Sequence, residues 1–82
     1  MKILYFAKLR QHLGKSSDSI KISDGKKISD VINELKNKNG NYRRAFDQVK
    51  NLQYALNCEY VDIEQTVRDR DELAIFPPVT GG

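Results

Sequence analysis

The segment of the sequence best suited to chemistry is its last seven residues, FPPVTGG, Phe76–Gly82. Two glycines at a chain end add no packing, and glycine loses more conformational freedom on ordering than any other residue. Glycine also has no Cβ, so a backbone of this kind can enter a narrow channel. Pro77 and Pro78 stiffen the base of the segment, which lowers the cost of inserting it. The pattern indicates that the end itself is the working part; the alternative is an inert, frayed terminus.

A C-terminal carboxylate is a poor electrophile and must be activated before it reacts. Adenylation with ATP provides the activation, and a sulfur nucleophile that displaces AMP leaves a thiocarboxylate, whose sulfur is a good nucleophile. Such chemistry requires a terminus that enters two active sites in turn. Gly81 and Gly82 meet this requirement.

Other reactive side chains form no convincing constellation. His12 is the only histidine and Cys58 the only cysteine, and a metal site needs several ligands at a defined spacing, so we predict none. Cys58 has no histidine near it in sequence to activate it, which favours a simple turn residue. The acidic run DRDE, Asp69–Glu72, is typical of a solvated turn.

Composition indicates a single folded domain. The chain has 82 residues, of which 39% are hydrophobic and 30% charged. It contains no apolar run long enough to span a membrane, no signal-peptide cleavage pattern and only one cysteine, so we expect a cytoplasmic protein without a membrane partner.

The positive charge is unevenly distributed. Residues 1–50 carry 12 lysines and arginines against 5 acidic residues, whereas residues 51–82 carry 2 against 6. The lysines are scattered and no RNA-binding aromatic signature accompanies them, so we predict a solvated surface and no nucleic-acid partner.

The elements that must position the tail follow from apolar periodicity. Runs rich in β-branched and aromatic residues predict strands, and an apolar stripe at helical spacing, Ile28, Val31, Ile32 and Leu35, predicts the main helix. Ser29 is predicted as the N-cap of this helix, and its end is expected near Gly40. The other predicted elements are strands over Lys2–Ala7, Asp18–Ser23, Leu52–Asn57, the NCEYV segment and Glu72–Phe76, a helical turn closed by Gly14, and a short helix over Tyr42–Val49.

This order predicts an α+β fold of the β-grasp, or ubiquitin-like, type: a mixed sheet with one main helix packed on one face. The last strand would lie centrally and parallel to the first. Residues 1–77 would form the domain, and residues 78–82 a flexible Gly-Gly tail that projects from it.

Three segments resemble those of the small, sulfur-carrying subunits of molybdopterin synthase, the MoaD family, and the resemblance covers the whole chain. LYFAKLR is similar to the first strand and turn of that family, ALNCEYV to its hairpin, and VRDRDELAIFPPVTGG to its closing segment. A terminal Gly-Gly alone is shared by several ubiquitin-like proteins, whereas the FPPVxGG tail after a DELA strand is specific. The family carries glycine in two turns where this chain has Cys58 and Arg70, so both positions are candidates for positive φ.

The resemblance implies a function. An E1-like adenylyltransferase would use ATP to adenylate Gly82, and a sulfur donor protein would convert it to the thiocarboxylate. The tail would then enter the large synthase subunit, in a heterotetramer, and donate sulfur to a cyclic pyranopterin precursor of the molybdenum cofactor. This chain would bind no permanent cofactor, and the catalytic side chains would lie on the large subunit.

The resemblance also implies a docking surface of hydrophobic contacts and one polar contact. Phe6 and Phe76 would form an apolar patch if their strands are neighbours, with Tyr60 as a third member, whereas core packing is the alternative for all three. The predicted partner-binding residues are Phe6, Arg10, Tyr60, Phe76, Pro77, Pro78, Val79 and Thr80, and the reactive end is Gly81 and Gly82.

Three other functions remain open from the sequence. The chain could be a sulfur carrier for thiamine synthesis or tRNA thiolation, a ubiquitin-like modifier conjugated through Gly82, or an interaction module with an inert tail. Removal of Gly82 would abolish the first two functions and leave the third intact.

Overall fold

The computed structural model describes residues 1–78 as a five-stranded sheet and three helices. The longest helix is the predicted main helix, and it has 11 residues. The elements are β1 (Lys2–Tyr5), α1 (Ala7–Leu13), β2 (Ser17–Ser19), α2 (Ile28–Lys38), α3 (Gly40–Gln48), β3 (Gln53–Leu56), β4 (Glu59–Val61) and β5 (Glu72–Phe76).

The sheet is mixed, with strand order β2-β1-β5-β3-β4. β5 lies in the centre, parallel to β1 and antiparallel to β3, in a register that pairs Tyr5 with Ile75 and Gln53 with Phe76. The predicted β-grasp topology is therefore confirmed. Because β5 and β1 run in the same direction, the chain leaves the middle of the sheet at the edge where β1 passes into α1.

One face of the sheet carries the core. Ile3, Tyr5, Leu73 and Ile75 alternate along β1 and β5 and are almost completely buried beneath the helices. The predicted apolar stripe of α2 is buried against them. It consists of Ile28, Val31, Ile32 and Leu35. The short predicted helix is also confirmed as α3, and Gly14 closes α1 in the left-handed conformation, with φ of 73°.

The predicted start of the main helix is wrong in detail. α2 begins at Ile28, ahead of Ser29, because the Ile28 N–H donates to the carbonyl of Gln65 at 3.0 Å and Lys27 pairs with Thr66. The loop before β5 therefore decides where the helix starts. Asp30 still stabilises the first turn of α2, since its carboxylate accepts a hydrogen bond from the Lys27 N–H at 2.9 Å.

The predicted end of the main helix near Gly40 is confirmed, but Gly40 does not close the helix. α2 ends at Lys38, and Gly40 is the first residue of α3. Asn39 lies between the two helices as the N-cap of α3, where its side-chain oxygen accepts from the backbone N–H groups of Asn41 at 2.9 Å and Tyr42 at 3.2 Å.

The two N-terminal strands are shorter than predicted. β1 stops at Tyr5 because Ala7, with φ of 53°, turns the chain out of the sheet. β2 covers only Ser17–Ser19, since further along the Ile22 N–H donates to the side chain of Asp69 at 2.9 Å instead of to β1. Contacts with residues distant in sequence set both limits.

A partly buried polar cluster joins the edge of the sheet to α3. The Asp18 carboxylate accepts from the hydroxyls of Tyr5 at 2.8 Å and Tyr42 at 2.6 Å, and from the Lys15 ammonium at 3.1 Å. Burial alone would raise the pKa of Asp18, but hydrogen bonds from Tyr42, Tyr5 and Lys15 hold this pKa below its usual value. The pKa of Tyr5 is raised, mainly by burial and then by its hydrogen bond to Asp18.

The turn between β3 and β4 is a two-residue hairpin turn. Asn57 and Cys58 both have positive φ, 50° and 71°, as a type I′ turn requires. The expectation of positive φ at Cys58 is confirmed. Arg70 is not among the residues of positive φ within residues 1–78, so the same expectation is wrong there.

Asp18→Asn tests the polar cluster. The folded state lowers the pKa of Asp18, so its carboxylate stabilises the protein above the unfolded pKa of about 3.9, and this contribution is lost as pH falls through the folded pKa. At pH 7 we expect the substitution to lower the free energy of unfolding by about 1–3 kcal/mol, since it disturbs three hydrogen bonds.

The measurement is urea denaturation of both proteins at neutral and acidic pH. The gap between them should narrow as pH falls through the folded pKa of Asp18, because the wild-type carboxyl is then protonated as well. Asp24→Asn, at an exposed loop position, is the control and should change little. A gap that is independent of pH would contradict the assigned role of the charge.

Cys58→Gly should stabilise the hairpin. A side chain in the left-handed region costs about 1–2 kcal/mol, and glycine removes this cost. Glycine also loses more chain entropy on folding, which offsets part of the gain. We therefore expect the free energy of unfolding to rise by about 0.5–1 kcal/mol. Cys58→Ala is the matched control: it removes the thiol but keeps Cβ and should give no gain. Equal stability of the glycine and alanine variants would contradict the strain at this turn.

Candidate functional site

The face of the sheet opposite the helices is open and has an apolar centre in the part of the chain that the structure describes. Side chains alternate along a strand, so burial of Ile75 beneath the helices turns Ala74 and Phe76 to the other face. Ala55 is paired with both Ala74 and Tyr60, which brings β3 and β4 into the same surface. We call this the open face, formed by Leu4, Ala55, Tyr60, Ala74 and Phe76.

Two predicted contact residues meet on the open face. The rings of Tyr60 and Phe76 pack edge to face, with centroids 5.8 Å apart and an interplanar angle of 68°. Tyr60 is nevertheless 78% exposed, and Phe76 is half-buried. An exposed aromatic supported by a second ring is a typical anchor for a protein partner.

Phe6 lies at the end of the sheet from which the tail emerges. Its backbone N–H donates to the carbonyl of Ile75 at 3.2 Å, and its side chain is 44% exposed. Core packing, the alternative for Phe6 and Tyr60, is therefore wrong for both. Arg10 is exposed on α1, one helical turn beyond Phe6, where its N–H donates to the Phe6 carbonyl at 3.3 Å.

The base of the tail is an extension of β5. Strand pairing ends at Phe76, because the two prolines that follow have no N–H to donate. Pro77 is half-buried and Pro78 exposed. The predicted sites at Val79, Thr80, Gly81 and Gly82 lie outside the described residues, so their roles and the domain boundary after residue 77 stay predictions.

A feature that sequence reasoning missed is a groove beside this base. Its lining includes Pro77, Pro78, Lys8, His12 and Lys50. Lys50 precedes β3 and the other two polar residues belong to α1, so only the packing of α1 beside α3 and β5 brings them together. No sequence signal connects them.

Within residues 1–78, no group of three or more His, Cys, Asp and Glu side chains is suited to a metal ion. Cys58 is free and exposed at the hairpin tip. None of the helices in the same range is long and apolar enough to cross a membrane.

The topology and the open face beside an emerging C-terminal segment define the class: this is a ubiquitin-like β-grasp protein. Residues 3–82 match the model of the ThiS family, and the chain belongs to that family. It is 35% identical to the molybdopterin synthase sulfur carrier subunit of Chlamydomonas reinhardtii, over 100% of this chain and 98% of that protein.

Solved structures of similar proteins have the same fold as this chain. The putative molybdopterin converting factor subunit 1 of Pyrococcus furiosus superposes with a TM-score of 0.78 at 28% identity, over 95% of each chain. The small archaeal modifier protein 1 of Haloferax volcanii superposes with a TM-score of 0.80 at 22% identity, over 96% of this chain and 97% of that chain. The second likeness concerns the fold alone.

Truncations on the two faces of the sheet should differ sharply in their effect on stability. Tyr60→Ala removes a side chain that is 78% exposed, and we expect it to lower the free energy of unfolding by less than about 1 kcal/mol. Ile75→Ala empties a fully buried position and should cost about 2–5 kcal/mol. Chemical denaturation measures both. A loss above about 2 kcal/mol for Tyr60→Ala would mean that the open face stabilises the fold instead of being free for a partner.

Proposed function

We propose that this chain is the sulfur carrier of a molybdopterin synthase and that the carboxylate of Gly82 carries the sulfur. The single observation that carries the proposal is the course of β5, the central strand, which runs directly into the Pro77–Pro78 base of the FPPVTGG segment at the edge of the open face. The end-to-end similarity to a relative named as a sulfur carrier subunit supports it.

The chemistry proceeds in three steps. The Gly82 carboxylate attacks the α-phosphorus of ATP on an E1-like adenylyltransferase, which forms an acyl-adenylate and releases pyrophosphate. A sulfur nucleophile at the oxidation level of sulfide, delivered by a sulfur donor protein, then displaces AMP and leaves the thiocarboxylate. Finally the thiocarboxylate sulfur attacks a carbon of the pyranopterin precursor and displaces an oxygen substituent from it. Water then hydrolyses the acyl–sulfur bond, which regenerates the Gly82 carboxylate and leaves the sulfur on the pterin; two such transfers supply both sulfurs of the dithiolene.

In this scheme the chain contributes the C-terminal residue that carries the sulfur and a surface that docks on the large subunit. Tyr60 and Phe76 supply aromatic anchors beside the tail, and Phe6 and Arg10 extend the contact around the end of β1. The large subunit of the synthase supplies the acid, the base and the pterin site, in a heterotetramer with two copies of each chain. ATP is a substrate of the activating enzyme, so the carrier holds no resident cofactor.

Two features favour this function over its rivals. The PPV element of the tail is typical of the synthase carriers and separates the chain from carriers for thiamine synthesis. The full-length relative bears the synthase name. The requirement for ATP and the single cysteine support a cytoplasmic location.

The deciding experiment is intact mass spectrometry of the full chain after incubation with an E1-like adenylyltransferase, ATP and sulfide. We expect the mass gain of one sulfur replacing one oxygen, mapped to Gly82. Addition of the large subunit and the pterin precursor should reverse the gain and yield molybdopterin. Deletion of Gly82 should abolish the gain and leave the free energy of unfolding unchanged, because the deleted residue lies beyond β5.

Gly40→Ala is the matched control for loss of a glycine. No atom lies within 4 Å of a Cβ built at Gly40, so the variant should fold and load normally. If an adenylyltransferase that loads another carrier leaves this chain unchanged, sulfur carriage is wrong. Formation of adducts with lysines of other proteins in place of the thiocarboxylate would favour the modifier function.

A further inference from the structure

The groove beside the tail is electropositive. Lys8, His12 and Lys50 line it together with Pro77 and Pro78, the last residues before the reactive segment. Within residues 1–78, no ion pair or side-chain hydrogen bond engages Lys8, Lys50 or the neighbouring Arg10. α1 itself, AKLRQHL, contains no acidic residue.

Charges of both signs meet at the other end of the sheet. Asp69, Asp71 and Glu72 lie around the start of β5, and their neighbours include Lys2, Lys21, Arg68 and Arg70. β5 therefore runs from an end of mixed charge to a basic end. An approaching protein with an acidic surface would be attracted to the end that carries the tail.

The length of the tail determines what must cover the groove. Four residues, 79–82, follow Pro78. A fully extended chain spans at most about 3.6 Å per residue, so Gly82 can reach no further than about 14 Å from Pro78. Any protein that holds Gly82 in its active site must therefore bring the rim of that site over the residues that surround Pro78. Lys8 and Lys50 would be covered in the same complex.

We propose that this basic groove docks an acidic rim around the tail-accepting channel of the large synthase subunit. The inference rests on the proposed function and specifies the chemistry of its partner surface. Covering uncompensated lysines costs free energy unless the partner provides opposite charge, so the rim carries Asp or Glu side chains that meet Lys8 and Lys50. The open face supplies apolar contact area, and the groove supplies orientation and speed of association.

The test measures association of the full chain with the large subunit by stopped-flow fluorescence across a range of salt concentrations. The variant is Lys8→Glu with Lys50→Glu. At low salt we expect its association rate constant to fall at least about tenfold, with a smaller change in the dissociation rate. The difference should shrink as salt shortens the Debye length towards about 3 Å. The neutral pair Lys8→Gln with Lys50→Gln should lie between the variant and the wild type.

A matched control reverses the same number of charges at the opposite end of the sheet. Lys21 and Arg70 are exposed, and neither makes a side-chain ion pair or hydrogen bond within residues 1–78. Lys21→Glu with Arg70→Glu should associate at nearly the wild-type rate. Equal rates for the groove variant and this control would overturn the proposal, because net charge alone would then explain the effect.

Two further outcomes also count against the groove as a site for the large subunit. If the variant binds the large subunit normally but is loaded slowly by the adenylyltransferase, the acidic rim belongs to the activating enzyme. Faster association of the variant would mean that Lys8 and Lys50 of the wild type bind the C-terminal carboxylate of the same chain. The mass assay separates these outcomes from failure of the proposed function, in which the wild-type chain itself gains no sulfur.

Discussion

The parallel pairing of β5 with β1 is the constraint on which the rest of the structure depends. It joins the two ends of the described chain, with Ile3 beside Leu73 and Tyr5 beside Ile75, and these four side chains fill the centre of the core. A register slip of one residue would turn Ile75 outward and bring Phe76 beneath the helices. The pairing therefore sets the hydrophobic core and, in the same step, the direction in which the tail leaves the domain.

Because helices cover only one face of the sheet, stability and recognition use different side chains of the same strand. Ile75 is fully buried and supports the fold, while Phe76, the next residue, contacts the exposed Tyr60 on the open face. Period-two alternation allows this division at the end of a central strand without an additional domain.

Polar groups follow a similar division. Asp18 is satisfied inside the molecule by Tyr5, Tyr42 and Lys15, so its charge links the sheet edge to α3 and is unavailable to a partner. Lys8 and Lys50 instead remain at the surface beside Pro77 and Pro78. The Asp18–Lys15 pair is therefore used for folding at one edge of the sheet, whereas Lys8 and Lys50 are left free where the tail emerges.

The sequence by itself determined the kind and order of the elements, because apolar periodicity and turn residues act over a few neighbouring positions. The stripe from Ile28 to Leu35 and the end of β5 before two prolines follow from such local rules, whereas the positive φ at Cys58 was implied by the family resemblance. The FPPVTGG segment also predicts a reactive chain end, which lies outside the described residues.

Only the tertiary structure decided where the elements stop and which surfaces stay open. Asp69 shortens β2 by binding the Ile22 N–H, and Gln65 starts α2 one residue before the predicted cap at Ser29. The exposure of Phe6 and Tyr60 depends in the same way on packing between distant segments, and so does the position of Lys8 and Lys50 along one groove. The physical reason is that residue type determines the local conformational preference of a segment, whereas burial and strand pairing depend on residues distant in sequence that only the fold brings into contact.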